Sequence, residues 1–278
     1  MQDVGIIGLI ITGIILLVSV PAFKNKPLFN NLSFKVGAIL NQKEYHRLIT
    51  SGFLHADWLH LFFNLITLLF FSRTLELTLG YGNFIILYVA SLIGGNLLSL
   101  LLHKNQGWYT AIGASGAISG VVFASIALFP NMEVSLFILP VFVPGWIFGI
   151  VYALYSIYGI RSQKDNIGHD AHLGGGLIGM AVAVIMIPEA LKVNYAPILL
   201  IFIPSVIFIY AIIKLPRFML GAKLSGKPKG DYTIEDVYNT NKLEREKEVD
   251  RILDKIGRSG VESLTKAEKA LLDDHSKR

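Results

Sequence analysis

Residues 112–129 read IGASGAISGVVFASIALF, a stretch without a single charge that runs up to Pro130. As a helix it is apolar enough for the interior of a membrane, and that reading decides the fold. Its opening is the informative part, because Ser115 and Ser119 sit four apart among Gly113, Ala114, Gly116, Ala117 and Gly120. Small residues there have two readings. They let neighbouring helices approach backbone to backbone, or they clear room around a serine nucleophile.

Composition supports the membrane reading, since 53% hydrophobic and 16% charged residues are too apolar for an ordinary water-soluble chain of 278 residues. Six further stretches have the length and apolarity of spans: 4–20, 58–79, 83–102, 143–160, 171–187 and 196–213. The first begins MQDVGII, where Asp3 replaces the basic start of a signal peptide, so it is read as a membrane helix. The segment VSLFILPVFVPGW carries Pro140 and Pro144 and is expected to be a loop along the interface. No internal repeat of the transporter kind stands out. The expected fold class is therefore an all-α polytopic membrane protein. Charges concentrate outside it: residues 1–213 hold 10 Lys/Arg and 8 Asp/Glu, the last 65 residues 15 and 12. A membrane body carries a soluble tail. The absence of cysteine excludes disulfides, iron–sulfur clusters and thiol chemistry. The net charge of +5 suits a lipid surface rather than nucleic acid, which is not expected as a partner.

Polar side chains inside a membrane are costly and need a partner or a purpose. Here they are few and ordered. The second span opens with His60 and Asn64 on one face, the fourth with Ser115 and Ser119, the sixth with His172. Successive spans alternate in direction, so the second, fourth and sixth begin on the same side of the bilayer. Ser115 lies 15 residues before Pro130 and His172 lies 16 before Pro188, which predicts similar depth. Gly116, Gly120 and Ala124 form a small-residue stripe on one helix, Gly175, Gly179 and Ala183 a matching one on the other. Packing the stripes would bring Ser115 near His172, the minimum for nucleophilic catalysis. His60 and Asn64 would be donors for a developing oxyanion. His169 and His172 lack a third ligand at helical spacing and no HExxH occurs, so neither a metal nor another cofactor is expected.

Over residues 40–185 the sequence resembles the rhomboid intramembrane serine proteases, through HxxxN at His60–Asn64, GxSG at Gly113–Gly116 and AHxxGxxxG at Ala171–Gly179. The resemblance implies a six-helix bundle at residues 1–190, to which a seventh transmembrane helix at 191–220 and a soluble helical tail at 221–278 are added. It implies Ser115 as nucleophile, His172 as its base, and an oxyanion hole made by the Ser115 amide, His60 and Asn64. His55 matches a histidine that is structural in the family. The implied activity is hydrolysis of peptide bonds in or near transmembrane segments of protein substrates. The implied setting is a multi-pass protein of the cell inner membrane with its catalytic side periplasmic or extracellular. Two positions depart from the family pattern. His46-Arg47 replaces a Trp-Arg pair in the first loop, and Ser119 stands where an aromatic often follows the nucleophile by four. Ring support for His172 must then come from elsewhere, or Ser119 bonds into the site. The rival reading is a non-catalytic binder or chaperone of membrane proteins on the same scaffold.

Trp58, Trp108 and Trp146 fall near span ends, where they anchor in the headgroup region. In the tail, Val249, Ile252, Leu253 and Ile256 follow a helical period closed by Gly257 or Gly260, and Thr265 with Glu268 makes a capping box before Leu271 and Leu272. A helical hairpin behind the linker GAKLSGKPKG is expected. The seventh crossing would leave it on the catalytic side, although Lys214, Arg217, Lys223, Lys227 and Lys229 by charge prefer the cytoplasm.

Overall fold

In the computed structural model, the structure describes residues 5–135, 142–162, 165, 167–215, 252, 255–256 and 263–265. The first long helix is α1 (Ile6–Ala22). The loop after it holds α2 (Lys26–Leu32), β1 (Phe34–Lys35), α3 (Val36–Gln42), α4 (Arg47–Thr50) and a 3-10 turn, Ser51–Phe53. Then follow α5 (Trp58–Leu79), α6 (Tyr81–Leu102), β2 (Thr110–Ala111), α7 (Ser115–Leu128), β3 (Glu133–Ser135), β4 (Phe142–Pro144), α8 (Gly145–Ser162), α9 (His169–Met186), α10 (Glu189–Val193) and α11 (Tyr195–Lys214). Each of the seven apolar stretches holds one long helix. Four of them, α5, α6, α9 and α11, are long and apolar enough to cross a membrane unaided; α1 and α7 are apolar but shorter. In α8, Tyr152, Tyr155, Tyr158 and Arg161 dilute the hydropathy of an 18-residue helix.

Local chemistry sets the helix ends. Asp57 caps α5 by accepting from the His60 amide at 2.8 Å. Gly80, at φ +80°, turns the chain from α5 straight into α6. At the other end of α5, Glu76 is buried and accepts from the Ile7 and Gly8 amides at 3.1 and 2.8 Å, covering the open start of α1 with negative charge. That contact makes α1 and α5 antiparallel, so Ala22 ends α1 near the level where Trp58 begins α5.

The centre of the bundle is α7, every residue of which from Gly116 to Ala127 is buried. Its neighbours α6 and α9 meet it without intervening side chains. A methyl group at Gly175 would strike the Gly116 carbonyl oxygen, one at Gly179 the Gly120 backbone, and one at Gly95 of α6 would come within 2.5 Å of the Ala171 carbonyl oxygen. The two glycine stripes expected from the sequence are thus joined by a third helix that the sequence reading had not included. With 14 residues α7 is about 21 Å long, short of a hydrocarbon core of about 30 Å. If its far end reaches the opposite interface, Ser115 lies below the near surface.

The first loop is organised by Arg47, which donates to the Asn30 and Ser33 carbonyls at 2.7 and 2.8 Å and pairs with Glu44. Replacing the family's Trp-Arg by His46-Arg47 leaves this hub in place. β1 pairs antiparallel with β2, Phe34 opposite Ala111, so the loop is stitched to the segment that leads into Ser115. The segment expected as an interfacial loop has paired ends instead, β3 against β4 with Val134 opposite Val143; residues 136–141 lie outside the described residues. These short ladders leave the class all-α.

The chain divides into two compact units, Met1–Leu224 and Ser225–Arg278. In the second, Ile252 and Ile256 are helical, and Ile252 and Leu264 are buried. Val249, Leu253, Glu268, Leu271, Leu272 and the linker GAKLSGKPKG lie outside the described residues.

Backbone contact between α7 and α9 predicts that Gly179→Ala, one added methyl, forces the helices apart. The expected loss is about 1–3 kcal/mol, read as a lowered unfolding temperature in detergent. Gly82→Ala, whose Cβ meets nothing within 4 Å, should leave that temperature unchanged.

Candidate active site

Ser115 is the first residue of α7 and His172 lies in the first turn of α9. Their side chains meet with Ser115 Oγ 2.7 Å from His172 Nε2, and both residues keep partial exposure although Gly116, the next residue of α7, is buried. In the tautomer with its proton on Nδ1, the imidazole accepts from the serine hydroxyl. A base in that position can take the hydroxyl proton as the oxygen attacks a carbonyl carbon.

Around Ser115 the geometry favours negative charge. The residue starts a helix, so its amide has no intrahelical partner and lies at the positive end of the α7 dipole. Gly113 has φ +126°, and a Cβ there would sit 3.0 Å from His60 Cε1 and Nε2 and 3.4 Å from Ser115 Oγ. Glycine is required both by the backbone and by the imidazole that lies against it. Asn64 is buried one turn further along α5, where one of its amide hydrogens is held by the His60 carbonyl at 2.9 Å. The other remains for an acceptor. The structure thus brings Ser115, His172 and His60 together directly, with Asn64 behind His60 and not bonded to the pair.

No carboxylate completes a triad among the described residues. Asp170 lies 3.0 Å from His103 Nε2 and is 3.4 Å from the Tyr109 hydroxyl, with His103 and Tyr109 stacked at 3.6 Å. Burial and the neighbouring Asp170 push the Tyr109 hydroxyl well above its ordinary range, which keeps it a donor. Asp165 is 3.2 Å from His169 Nε2. Neither acid reaches His172. The sequence reading passed over Tyr152 of α8, whose ring stacks on His172 at a centroid distance of 6.1 Å and 17°. The one signal for it was Ser119, which vacates a ring position on α7.

A bundle of several helices apolar enough to cross a membrane, with a hydrogen-bonded serine and histidine at the start of its glycine-packed helix pair, fits an intramembrane protein of the rhomboid type. Residues 42–189, more than half of the chain, match the Rhomboid domain family. The chain belongs to the rhomboid family. It is similar to Rhomboid protein 1, mitochondrial, of Saccharomyces cerevisiae, at 32% identity over 156 residues, 51% of this chain and 43% of the relative. RHOMBOID-like protein 12, mitochondrial, of Arabidopsis thaliana is 30% identical over 194 residues, 62% and 55% of the two chains. Rhomboid-like protease 3 of Toxoplasma gondii is 43% identical over 76 residues, 27% and 28%. The chain spans about half the length of the first two. Residues 232–278 match a second family, DUF6576, described as a family of unknown function.

A second serine–histidine contact clarifies what the first can do. Ser19 Oγ of α1 lies 2.9 Å from His55 Nδ1, and both residues are wholly buried. Ser19 already donates to the Phe53 carbonyl at 2.7 Å, so His55 Nδ1 must be the donor to it. A serine whose proton is committed to a carbonyl is not activated, and this pair fastens α1 to the loop before α5. Burial, aided by nearby His60 and opposed by Asp57, draws the His55 imidazole down from 6.5 to about 3. The folded form therefore holds the neutral ring. Its contribution is complete above pH 6.5 and is lost as pH falls from 6.5 towards 3. Unfolding temperatures measured across that window should decline with a one-proton share of about 1.4 kcal/mol per pH unit. That share should vanish in His55→Gln.

Proposed function

We propose that this protein is an intramembrane serine endopeptidase that cleaves membrane proteins in or near their transmembrane segments. The observation that carries the reading is the 2.7 Å hydrogen bond from Ser115 to His172, both of them partly exposed. The word protease in the name of the Toxoplasma relative is consistent with it.

In this reading Ser115 Oγ attacks the scissile carbonyl carbon while His172 Nε2 takes the hydroxyl proton. The tetrahedral oxyanion is held by the Ser115 amide, the His60 ring N–H and the free Asn64 amide hydrogen. Its collapse breaks the C–N bond, His172 returns the proton to the departing amine, and an ester on Ser115 remains. Water, deprotonated by His172, then attacks the ester and releases the acid. A peptide bond inside a stable helix has its carbonyl committed, so substrates need locally weak helices. The starts of α5, α7 and α9 carry the site, and in this reading they face the outside of the cell inner membrane.

Ser115→Ala and His172→Ala should each abolish cleavage of a transmembrane substrate and labelling by a fluorophosphonate, with unfolding temperature preserved. The two losses should not add, because the residues act as one unit. Labelling that persists in Ser115→Ala and disappears in Ser119→Ala would transfer the nucleophile to Ser119. A folded protein that neither cleaves nor labels would instead favour the binder on this scaffold.

The oxyanion assignment makes a separate demand. His60→Ala and Asn64→Ala should each lower kcat on the order of a hundredfold, about 3 kcal/mol, while KM changes little. An unaltered kcat in the folded double variant would remove both residues from the hole.

A further inference from the structure

A serine–histidine pair without a carboxylate leaves open what holds the imidazole. In a triad the acid binds Nδ1 and fixes both tautomer and ring plane. Here His172 Nδ1 has no hydrogen-bond partner among the described residues, and the two nearby acids are occupied by His103 and His169. A singly held imidazole can swing about its one bond to Ser115. Orientation must therefore come from packing.

The packing surface is supplied by α8. Phe148, Tyr152 and His172 form a column of near-parallel rings, with centroid distances of 5.9 and 6.1 Å and interplanar angles of 12° and 17°. Both distances lie in the range favoured for offset stacking. Phe123 of α7 meets Tyr152 edge-on at 5.7 Å, and His169 meets His172 edge-on at 6.1 Å. Tyr152 is also tied by its hydroxyl. Ser119 Oγ donates to the Ser115 carbonyl at 2.8 Å, so the Tyr152 hydroxyl, 2.9 Å from Ser119 Oγ, is the donor to it. The ring that faces the base is thereby linked through Ser119 to the backbone of the residue the base serves. The small side chain at 119 is part of this arrangement, since a ring there would need the space that Tyr152 fills.

Resting on the protease reading above, we infer that Tyr152 is a positioning residue for His172, its ring delivered from α8 and its hydroxyl registered on α7 by Ser119. It touches no reacting atom. Its effect is to keep Nε2 aimed at Ser115 Oγ, and a base misaligned by even 1 Å loses on the order of a hundredfold in rate.

The test is kinetic and uses the full chain in detergent and in vesicles. Tyr152→Leu keeps apolar bulk and removes the flat ring; Tyr152→Phe keeps the ring and removes the hydroxyl. The expected result is a fall in kcat of about tenfold or more for Tyr152→Leu at unchanged KM, with a parallel fall in the rate of fluorophosphonate labelling of Ser115. Tyr152→Phe should stay within about threefold of the parent, and adding Ser119→Ala to it should cost little more, because both cut the same link. Restoring a ring from the other helix, in Tyr152→Leu with Ser119→Phe, should recover part of the lost kcat. A filler role would instead lower the unfolding temperature, leave labelling of the folded protein untouched and show no recovery. If Tyr152→Leu fails to fold, the same comparison applies to Tyr152→Met, whose side chain adapts to irregular space. Parental kcat and labelling rate in a folded Leu or Met variant would overturn the inference. Cleavage that survives Ser115→Ala would overturn the Ser115–His172 assignment on which the inference rests, and a folded parent protein that neither cleaves nor labels would overturn the protease reading itself, whatever Tyr152 does.

Discussion

Where α9 crosses α7, glycine lies on glycine. A Cβ at Gly175 or Gly179 would overlap the carbonyl oxygen of Gly116 or Gly120, so the two helix axes approach as near as backbones permit. In a membrane, apolar side chains gain little by turning from lipid to protein, and close van der Waals packing carries more of the association. Rigidity follows, because a contact with no side chain in it has no rotamer to relax. Ser115 lies one residue before Gly116 and His172 three before Gly175. Their 2.7 Å separation is set by that crossing rather than by the flexibility of either side chain.

The remaining elements hold this crossing at its depth. α6 joins it through Gly95, which lies against the Ala171 carbonyl one residue from His172. α5 contributes His60 beside Gly113, and α5 is in turn clamped to α1 at both ends, by Glu76 on the Ile7 and Gly8 amides and by His55 on Ser19. The first loop, gathered by Arg47, pairs through β1 with β2 only four residues before Ser115. Each attachment uses a polar group that would be costly in lipid if it were left alone.

Much of this was legible in the sequence, for identifiable reasons. The spans announced themselves by length, and the glycine stripes by a four-residue spacing that has few other uses in a membrane helix. Separations of 15 residues from Ser115 to Pro130 and 16 from His172 to Pro188 predicted similar depth for the two residues, which are hydrogen-bonded. What stayed hidden depended on partners far apart in the chain. Nothing around Glu76 says that its carboxylate caps a helix 68 residues earlier. Nothing in FKVGAIL or YTAIG declares a two-residue ladder, and a proline-containing apolar run expected as an interfacial loop has paired ends. Tyr152 is one of three tyrosines at a three-residue spacing on α8, and only the rotation of that helix decides which ring reaches His172.

Helix geometry within α9 likewise explains why no acid among the described residues joins Ser115 and His172. Asp170 is only two residues from His172, and positions two apart on a helix face away from each other. It therefore turns to His103 and Tyr109, while His169, three residues away, meets the His172 ring by its edge. A carboxylate on the Nδ1 side would be a further charge in a low-dielectric interior, where desolvation is repaid only when every oxygen is paired. Stacked rings orient an imidazole without adding charge. The cost is that stacking restrains tilt but does not choose the tautomer, which is left to the hydrogen bond with Ser115 and to whatever solvent reaches Nδ1.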